Sequence, residues 1–285
     1  MARKKNKKPL RTRPLLTDAA RPATFEVEAY NERGEMVPTA IAGEHPLTLY
    51  LDKREVVTLM TLGHAPEALV IGYLRNQRLV NSIDEIAAVQ VDWETESAAV
   101  TTRSKKRVKI SRKKTVTTGC GQGTMYGDLM EDVGKVKLRN EVRLADSDLF
   151  VLLEKVRRHE TIYKQAGAVH GCALATTTGE ILMFIEDVGR HNAVDAIAGR
   201  MWLDDIDGSD KLFYTTGRLT SEMVIKCAQM RIPFLVSRSG LTHMGHQIAK
   251  KVGITMLGRA SGRHYLAFTG KERIVRITPQ PTSLA

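Results

Sequence analysis

The chain has 285 residues, of which 42% are hydrophobic and 26% charged, and its formal net charge is +11. This length can bury a sizeable core in one large domain or two smaller ones, and no stretch approaches the ~18 apolar residues of a membrane span. Three cysteines without a CxxC spacing support neither a disulfide framework nor a cysteine zinc site. The basic N-terminus lacks the apolar region of a secretory signal, so we expect a cytoplasmic protein.

Two segments carry the excess positive charge. Residues 1–22 hold eight Lys or Arg side chains against Asp18 alone, and residues 103–114 hold eight basic side chains and no acidic one. We predict that residues 1–22 form a disordered basic tail, and we do not expect it to bind nucleic acid. The second segment favours an anionic substrate or an acidic protein partner, although a solvated β-ribbon would also explain its alternating pattern.

Residues 23–118 form a predicted β-rich N-terminal domain, the smaller of two. Strict alternation of apolar and polar residues at 24–30 and 47–51 is typical of half-buried strands. One helix is predicted among these strands, beginning near Ala65 with Pro66 in its first turn and continuing through Leu74.

Residues 119–140 form a predicted mobile loop that carries Cys120. Gly119 and Gly121 flank this cysteine and would let a large partner approach the sulfur closely. The basic run before the loop favours the thiolate, which is the nucleophilic form of cysteine. We therefore interpret Cys120 as a reactive nucleophile. The alternative is a small, inert apolar residue in a glycine turn.

Residues 141–285 form a predicted α/β domain in which helices cover a sheet. Asp146 or Ser147 can cap the first helix, and Gly167 would follow its end. The pattern predicts helices at 146–165, 190–200, 219–230 and 242–251, a hairpin of strands 168–175 and 180–187, and strands at 211–216, 232–237, 254–259, 264–268 and 273–277.

Arginines stand beside small or hydroxyl residues at three successive strand-to-helix junctions. Ligands of open α/β sheets gather at the carboxyl ends of strands, and the guanidinium fork matches phosphate oxygens. We predict a pocket for a pyrophosphate-bearing ligand, whereas the alternative is a set of helix caps with surface salt bridges. The predicted binding residues are Arg190, His191, Gly217, Arg218, Ser237, Arg238 and Ser239, with a fourth cluster of Arg259, Ala260, Ser261, Gly262, Arg263 and His264.

Two histidines have simpler interpretations. The helix-like spacing of Asp187, His191 and Asp195 indicates residues that cap and solvate a helix rather than an acid–base set. His170 lies beside Cys172 on an apolar strand, which favours a core pair over a metal site. The zinc-ligand motifs of nucleobase deaminases are missing, which argues against a deaminase.

Several of these motifs, in this order, resemble the FdhD/NarQ family over about residues 40–270. The stretches that carry the resemblance are Leu59–Thr61, Leu69–Tyr73, Thr117–Gly121, Glu186–Asp195, Thr216–Arg218 with Ser221–Val224, and Ser237–Ser239.

The resemblance implies a sulfurtransferase that is required for formate dehydrogenase activity. It implies a cytidine-deaminase-like three-layer fold for the C-terminal domain and a homodimer. Cys120 would accept a persulfide from a cysteine desulfurase and pass the sulfur to the molybdenum cofactor, a bis(molybdopterin guanine dinucleotide), before that cofactor enters the catalytic subunit of formate dehydrogenase. A non-catalytic carrier of the same cofactor is the alternative.

The chain departs from the family pattern at two positions. Gly123 stands where many members have a second cysteine, so an internal resolving thiol is missing. Arg259 stands where an aromatic residue is common, so an aromatic ring that would stack on the base or the pterin is missing at this position. One attacking thiolate is sufficient for persulfide transfer.

Overall fold

The computed structural model describes residues 13–104, 136, 138–159 and 161–276. Most of the predicted basic tail, of the basic run at 103–114 and of the predicted loop at 119–140 lies outside these residues. Cys120 and Gly123 are among the positions outside them. In the described part, no helix is long and apolar enough to cross a bilayer.

The fold is a mixed α/β arrangement with several sheets. Its helices are α1 (Pro66–Asn76), α2 (Asp146–His159), α3 (Ile162–Ala166), α4 (Arg190–Leu203), α5 (Ser221–Gln229) and α6 (His243–Val252). Its strands are β1 (Leu15–Leu16), β2 (Thr24–Tyr30), β3 (Met36–Ala42), β4 (His45–Leu51), β5 (Arg54–Thr61), β6 (Ile86–Asp92), β7 (Ser97–Thr102), β8 (Leu144–Ala145), β9 (His170–Thr176), β10 (Ile181–Asp187), β11 (Lys211–Thr215), β12 (Phe234–Ser237), β13 (Thr255–Ser261), β14 (His264–Thr269) and β15 (Ile274–Val275).

A five-stranded sheet in the order β1-β6-β7-β4-β5 forms the N-terminal part. Alternate residues of β4, namely Leu47, Leu49 and Leu51, are buried, as the period of two requires, and α1 packs into the same apolar core. Strands β2 and β3 pair separately as an antiparallel ribbon. The strands predicted at 24–30 and 47–51 and the helix that contains Pro66 are confirmed.

A six-stranded sheet in the order β10-β9-β11-β12-β13-β14 forms the C-terminal part. One face packs against α4, α5 and α6, and the other packs against α2, so successive residues of β9 such as Ala173 and Leu174 enter different cores. The predicted sheet covered by helices is confirmed, as is the hairpin of β9 and β10. The cytidine-deaminase-like layering and the domain boundaries stay predictions.

The single helix predicted at 146–165 is wrong. Helix α2 ends at His159, and a separate short helix, α3, begins at Ile162. The Glu186 carboxylate explains the separate start, because it accepts hydrogen bonds from the backbone N–H groups of Thr161, Ile162 and Tyr163 at 3.0–3.1 Å. Such a bond satisfies donors that a helix start leaves unpaired.

Helices α1 and α4 cross so closely that glycine is required on both. A Cβ atom on Gly72 would lie 1.6 Å from the carbonyl oxygen of Asp195, and one on Gly199 would lie 1.9 Å from that of Ala68. Both obstacles are backbone atoms, which no side-chain rotation can move. The crossing joins the two parts of the chain, and Ala196 of α4 lies in the core of the N-terminal sheet.

We expect Gly199→Ala to destabilise the protein by about 3 kcal/mol, because the added methyl group forces the two helices apart. In an exposed helix the same change would stabilise by ~1 kcal/mol through helix propensity, so the sign of the effect tests the crossing. Urea unfolding measures it. Gly240→Ala is the control, since an added Cβ there meets nothing within 4 Å. Equal stability of the two variants would contradict the close crossing.

Candidate functional site

The carboxyl ends of β10, β11, β12 and β13 lie along one edge of the six-stranded sheet. Strands β11, β12 and β13 are parallel, and β10 shares their direction because both it and β11 are antiparallel to β9. The junctions predicted to bind ligand follow these strands, so the fold brings them to one edge, together with the turn between β13 and β14. We call this edge the arginine edge.

His170, the first residue of β9, lies close to three arginines on the arginine edge. Burial, and then the positive charges of Arg190, Arg238 and Arg218, lower the pKa of His170. These arginines follow three different strands, β10, β11 and β12, and those at 218 and 238 are exposed. A field that opposes a proton on His170 also attracts an anion to the same place.

The turn after β11 is built around Gly217. A Cβ on Gly217 would lie 2.7 Å from Cδ of Arg190, so glycine leaves the space that the aliphatic part of this arginine occupies. The Gly217 N–H donates to Oγ1 of Thr215 at 3.1 Å, and the Gly171 N–H donates to Oγ1 of Thr216 at 3.1 Å. These bonds fix the turn and, through it, the position of Arg190.

Ser237 links neighbouring turns and is fully buried. Its hydroxyl donates to the carbonyl of Gly217 at 2.6 Å and accepts from the N–H of Ser239 at 2.9 Å. The Ser239 carbonyl in turn accepts from the N–H of Arg259 at 2.8 Å. The predicted residues Ser237 and Ser239 thus use these groups to hold three turns together.

The predicted cluster at 259–264 comprises the end of β13, the turn at 262–263 and the first residue of β14. Arg259 and Gly262 adopt left-handed backbone conformations with φ of 53° and 57°. Arg259 and residues 261–264 are exposed, whereas Ala260 is 1% exposed and packs in the core beside α2. Arg263 and His264 can therefore reach a ligand on the arginine edge, and the side chain of Ala260 is turned into the core.

Tyr163 of α3 extends the arginine edge on the side of β12. The Arg238 guanidinium carbon lies 5.5 Å from the centroid of its ring, within the range of a cation–π contact. The tyrosine is 44% exposed, so it offers an aromatic surface beside the arginine.

Asp187 ties the arginine edge to the N-terminal sheet. Its carboxylate accepts from Thr61 Oγ1 at 2.5 Å and from the N–H of Leu62 at 3.2 Å, both at the end of β5. It also accepts from the Gly189 N–H at 3.0 Å and Asn192 Nδ2 at 2.9 Å, at the start of α4. Burial raises the pKa of Asp187, and the hydrogen bonds from these four donors lower it in part. The prediction that it solvates a helix is wrong, because it is 6% exposed.

A chain of buried and partly buried ionisable groups runs behind the arginine edge. Lys226 Nζ lies 2.7 Å from Oδ2 of Asp195 and 3.3 Å from Oε1 of Glu222. His191 Nε2 lies 3.4 Å from Oε2 of Glu222. Burial opposes the charge of Lys226, but Asp195 and Glu222 outweigh it and raise the pKa of the lysine. Asp195 is 2% exposed, so it also does not solvate its helix.

His191 is neutral at physiological pH. Burial, and then the positive charge of Lys226, lower its pKa to about 3. Its 3.4 Å approach to Glu222 is therefore not an ion pair, and within the described residues His191 Nε2 is buried without a hydrogen-bond partner.

The two cysteines of the described residues are free and fully buried. Burial raises the pKa of the Cys172 thiol to about 12 and that of Cys227 well above its ordinary value. Both therefore stay protonated and unreactive. Cys172 is a core residue, as expected, whereas its predicted partner His170 is only half-buried and faces the arginine edge.

Sequence reasoning missed His170, Glu222 and Lys226. His170 is the first residue of a strand that is antiparallel to β11, so knowledge of the strand order would have placed it at the arginine edge. Glu222 and Lys226 are four residues apart, a spacing that normally indicates an exposed helical pair. Nothing in the sequence signals that Lys226 is 3% exposed.

Comparison with known proteins identifies relatives over most of the chain. The FdhD/NarQ family model matches residues 42–275. A sulfur carrier protein FdhD from Listeria innocua is 30% identical over 254 residues, which are 88% of this chain and 95% of the relative. One from Bacillus subtilis is 28% identical over 248 residues, or 85% and 94% of the two chains.

A solved structure shares the fold. The crystal structure of a candidate formate dehydrogenase accessory protein from Desulfotalea psychrophila is 25% identical to this chain, with a TM-score of 0.72. The match covers 89% of this chain and all of that one.

The depressed pKa of His191 predicts a specific loss of stability in acid. The unfolded histidine takes up a proton near pH 6.5 and the folded one only near pH 3, so its contribution is complete above pH ~6.5 and is lost as the pH falls. Between pH 7 and pH 5 this amounts to about 2 kcal/mol. In urea unfolding, His191→Gln should lose that much less than the unchanged protein over this interval. Parallel pH curves for the two proteins would contradict the assignment.

Proposed function

The chain belongs to the FdhD/NarQ family, and we propose that it is a sulfurtransferase that matures formate dehydrogenase. In this proposal Cys120 takes the terminal sulfur of a persulfide on a cysteine desulfurase and transfers it to a bound bis(molybdopterin guanine dinucleotide). The names of the relatives, sulfur carrier protein and formate dehydrogenase accessory protein, support both parts.

The observation that carries the proposal is the chemical state of the other cysteines. Cys172 and Cys227 are buried and protonated, so Cys120 is the remaining one of three. The eight basic residues at 103–114 precede it and favour its thiolate. That thiolate attacks the sulfane sulfur, a new S–S bond forms, and the desulfurase cysteine leaves as a thiolate.

The arginine edge supports a substrate with pyrophosphate groups. Arg190, Arg218 and Arg238 are close enough to His170 to lower its pKa together, and guanidinium groups bind phosphate oxygens in a bidentate way. The junction of β13 and β14 adds the exposed Arg263 and His264 on the same edge. The molybdenum cofactor is here the substrate of the protein, and its guanine dinucleotides carry the phosphates.

The partners follow from the same proposal. A cysteine desulfurase supplies the sulfur, and the catalytic subunit of formate dehydrogenase receives the modified cofactor. We also infer a homodimer and a cytidine-deaminase-like arrangement of the C-terminal layers, both from the family resemblance.

We expect Cys120→Ala to abolish persulfide formation and formate dehydrogenase maturation without altering the fold or nucleotide binding. The measurement is incubation with a cysteine desulfurase and labelled cysteine, followed by mass spectrometry of the Cys120 peptide for one added sulfur atom. Cys227→Ala is the matched control and should still be loaded.

Two results would contradict this assignment. Normal loading of Cys172 or Cys227 in the Cys120→Ala variant would place the chemistry elsewhere. Full maturation by that variant would instead favour a non-catalytic carrier of the cofactor.

We expect Arg218→Ala to weaken binding of guanosine diphosphate about tenfold, because it removes a charge-assisted hydrogen bond to phosphate. Calorimetric titration at fixed ionic strength measures the affinity. Arg33→Ala is the control, since Arg33 is an exposed arginine between β2 and β3 whose side chain is 76% exposed. Equal affinities of the two variants would remove the arginine edge from the binding site.

A further inference from the structure

Tyr163 is a large aromatic side chain that the protein holds at its surface. It is 44% exposed, and it belongs to none of the three apolar cores formed by the described residues. A single exposed aromatic residue is common on protein surfaces and by itself indicates no function. What distinguishes Tyr163 is how it is held and what lies next to it.

The Glu186 carboxylate fixes the backbone of Tyr163 beside the arginine edge. Glu186 is 4% exposed and immediately precedes Asp187, the last residue of β10. One carboxylate oxygen accepts from the N–H groups of Thr161 and Ile162 at 3.1 and 3.0 Å, and the other accepts from the Tyr163 N–H at 3.0 Å. These bonds use main-chain donors, so they hold α3 in place without the tyrosine ring.

The next turn leads from α3 directly to the arginine edge. Helix α3 ends at Ala166, and the Gly167 N–H donates to the carbonyl of Tyr163 at 2.9 Å. Gly167 and Ala168 then reverse the chain with positive φ angles of 62° and 54°. Strand β9 begins at His170, the residue on which the three arginines act.

Arg238 connects the arginines around His170 to the tyrosine ring. Its charge is one of the three that lower the pKa of His170, and its guanidinium carbon lies 5.5 Å from the centroid of the Tyr163 ring. The Arg238 N–H donates to the carbonyl of Thr215 at 3.2 Å, which fixes its backbone beside the end of β11. An anion bound by these arginines would therefore lie close to an exposed aromatic ring.

A cation and an aromatic ring side by side suit the two parts of a nucleotide. Guanidinium groups bind phosphate oxygens, and an aromatic ring stacks on the face of a base. Every base has such a face, so the ring adds affinity without selecting among bases. Bare pyrophosphate has no base and gains nothing from the ring.

We propose that Tyr163 is the base-stacking residue of the arginine edge, where its ring packs against the base of a nucleoside diphosphate whose phosphates the arginines bind. Tyr163 thereby gives the site a higher affinity for a nucleoside diphosphate than for pyrophosphate. This inference rests on the nucleotide substrate of the proposed function, but it does not depend on sulfur transfer.

Calorimetric titrations with guanosine diphosphate, adenosine diphosphate and pyrophosphate test the inference. We expect Tyr163→Leu to weaken both nucleotides about tenfold, the effect of one stacked base, and to leave pyrophosphate within about twofold. Tyr163→Phe keeps the ring and should bind all three ligands as the unchanged protein does. Tyr30→Ala is the matched control, since Tyr30 is a 75% exposed tyrosine at the end of β2.

Three results would overturn the proposal. Unchanged nucleotide affinity in Tyr163→Leu would remove the ring from the site. Equal losses for the nucleotides and for pyrophosphate would mean that Tyr163 acts only by orienting Arg238. A loss in Tyr163→Phe as large as that in Tyr163→Leu would assign the effect to the hydroxyl group and not to stacking.

Fluorescence of a Tyr163→Trp variant provides a second readout that a purely structural role would not change. A tryptophan that stacks on guanine loses emission, so guanosine diphosphate should quench the variant and pyrophosphate should not. The same titration of the unchanged protein corrects for its two tryptophans, Trp93 and Trp202. Equal responses to both ligands, or no quenching at saturating guanosine diphosphate, would contradict stacking even if Tyr163→Leu fails to fold.

The experiments separate this inference from the proposed function. If Arg218→Ala weakens guanosine diphosphate and Tyr163→Leu does not, the nucleotide site stands and the stacking role fails. If the unchanged protein does not bind guanosine diphosphate, the nucleotide substrate fails and the inference fails with it. Sulfur loading of Cys120 is measured without any nucleotide, so it decides the sulfur-transfer proposal independently.

Discussion

The close crossing of α1 and α4 is the contact on which the rest of the structure depends. Gly72 and Gly199 allow the two backbones to touch, and helix α4 begins with Arg190, so the crossing fixes the arginine edge relative to the N-terminal sheet. Backbones this close leave no space for water between them. Polar groups at the contact must therefore bind each other, and Asn76 Nδ2 of α1 donates to Asp195 Oδ1 of α4 at 2.7 Å.

The buried charges beside this crossing hold the helices in a defined position more than they stabilise the folded protein. Burying Asp195 and Lys226 costs solvation energy that their attraction does little more than offset, whereas loss of either partner leaves an uncompensated charge. Asp187 follows the same logic, since its four donors come from β5 and from the start of α4. Carboxylates thus lie behind the edge and arginines in front of it. The buried carboxylates hold α4 in place, while Arg218 and Arg238 are exposed on the arginine edge.

The sequence predicts the elements better than it predicts their neighbours. Alternating and helical periodicities depend on local burial, so most strands and helices are placed correctly, and arginines that follow strands indicate an anion site. The break between α2 and α3 depends on Glu186, which is distant in sequence. The partners of His170 and Lys226 likewise depend on strand order and helix crossings. The spacing of residues along the chain reports neither strand order nor helix crossings. It therefore favours a core position for His170, which is half-buried, and does not indicate that Lys226 is buried.

In the proposed function, the number of available thiols constrains how sulfur leaves the protein. A second thiol close to a persulfide can attack it, form a disulfide and release sulfide. The family resemblance implies that many members have that cysteine where this chain has Gly123, and Cys172 and Cys227 are too deeply buried to replace it. A persulfide on Cys120 therefore has no internal route of discharge and persists until an external acceptor arrives. Selectivity of delivery then rests on which ligand the arginine edge binds.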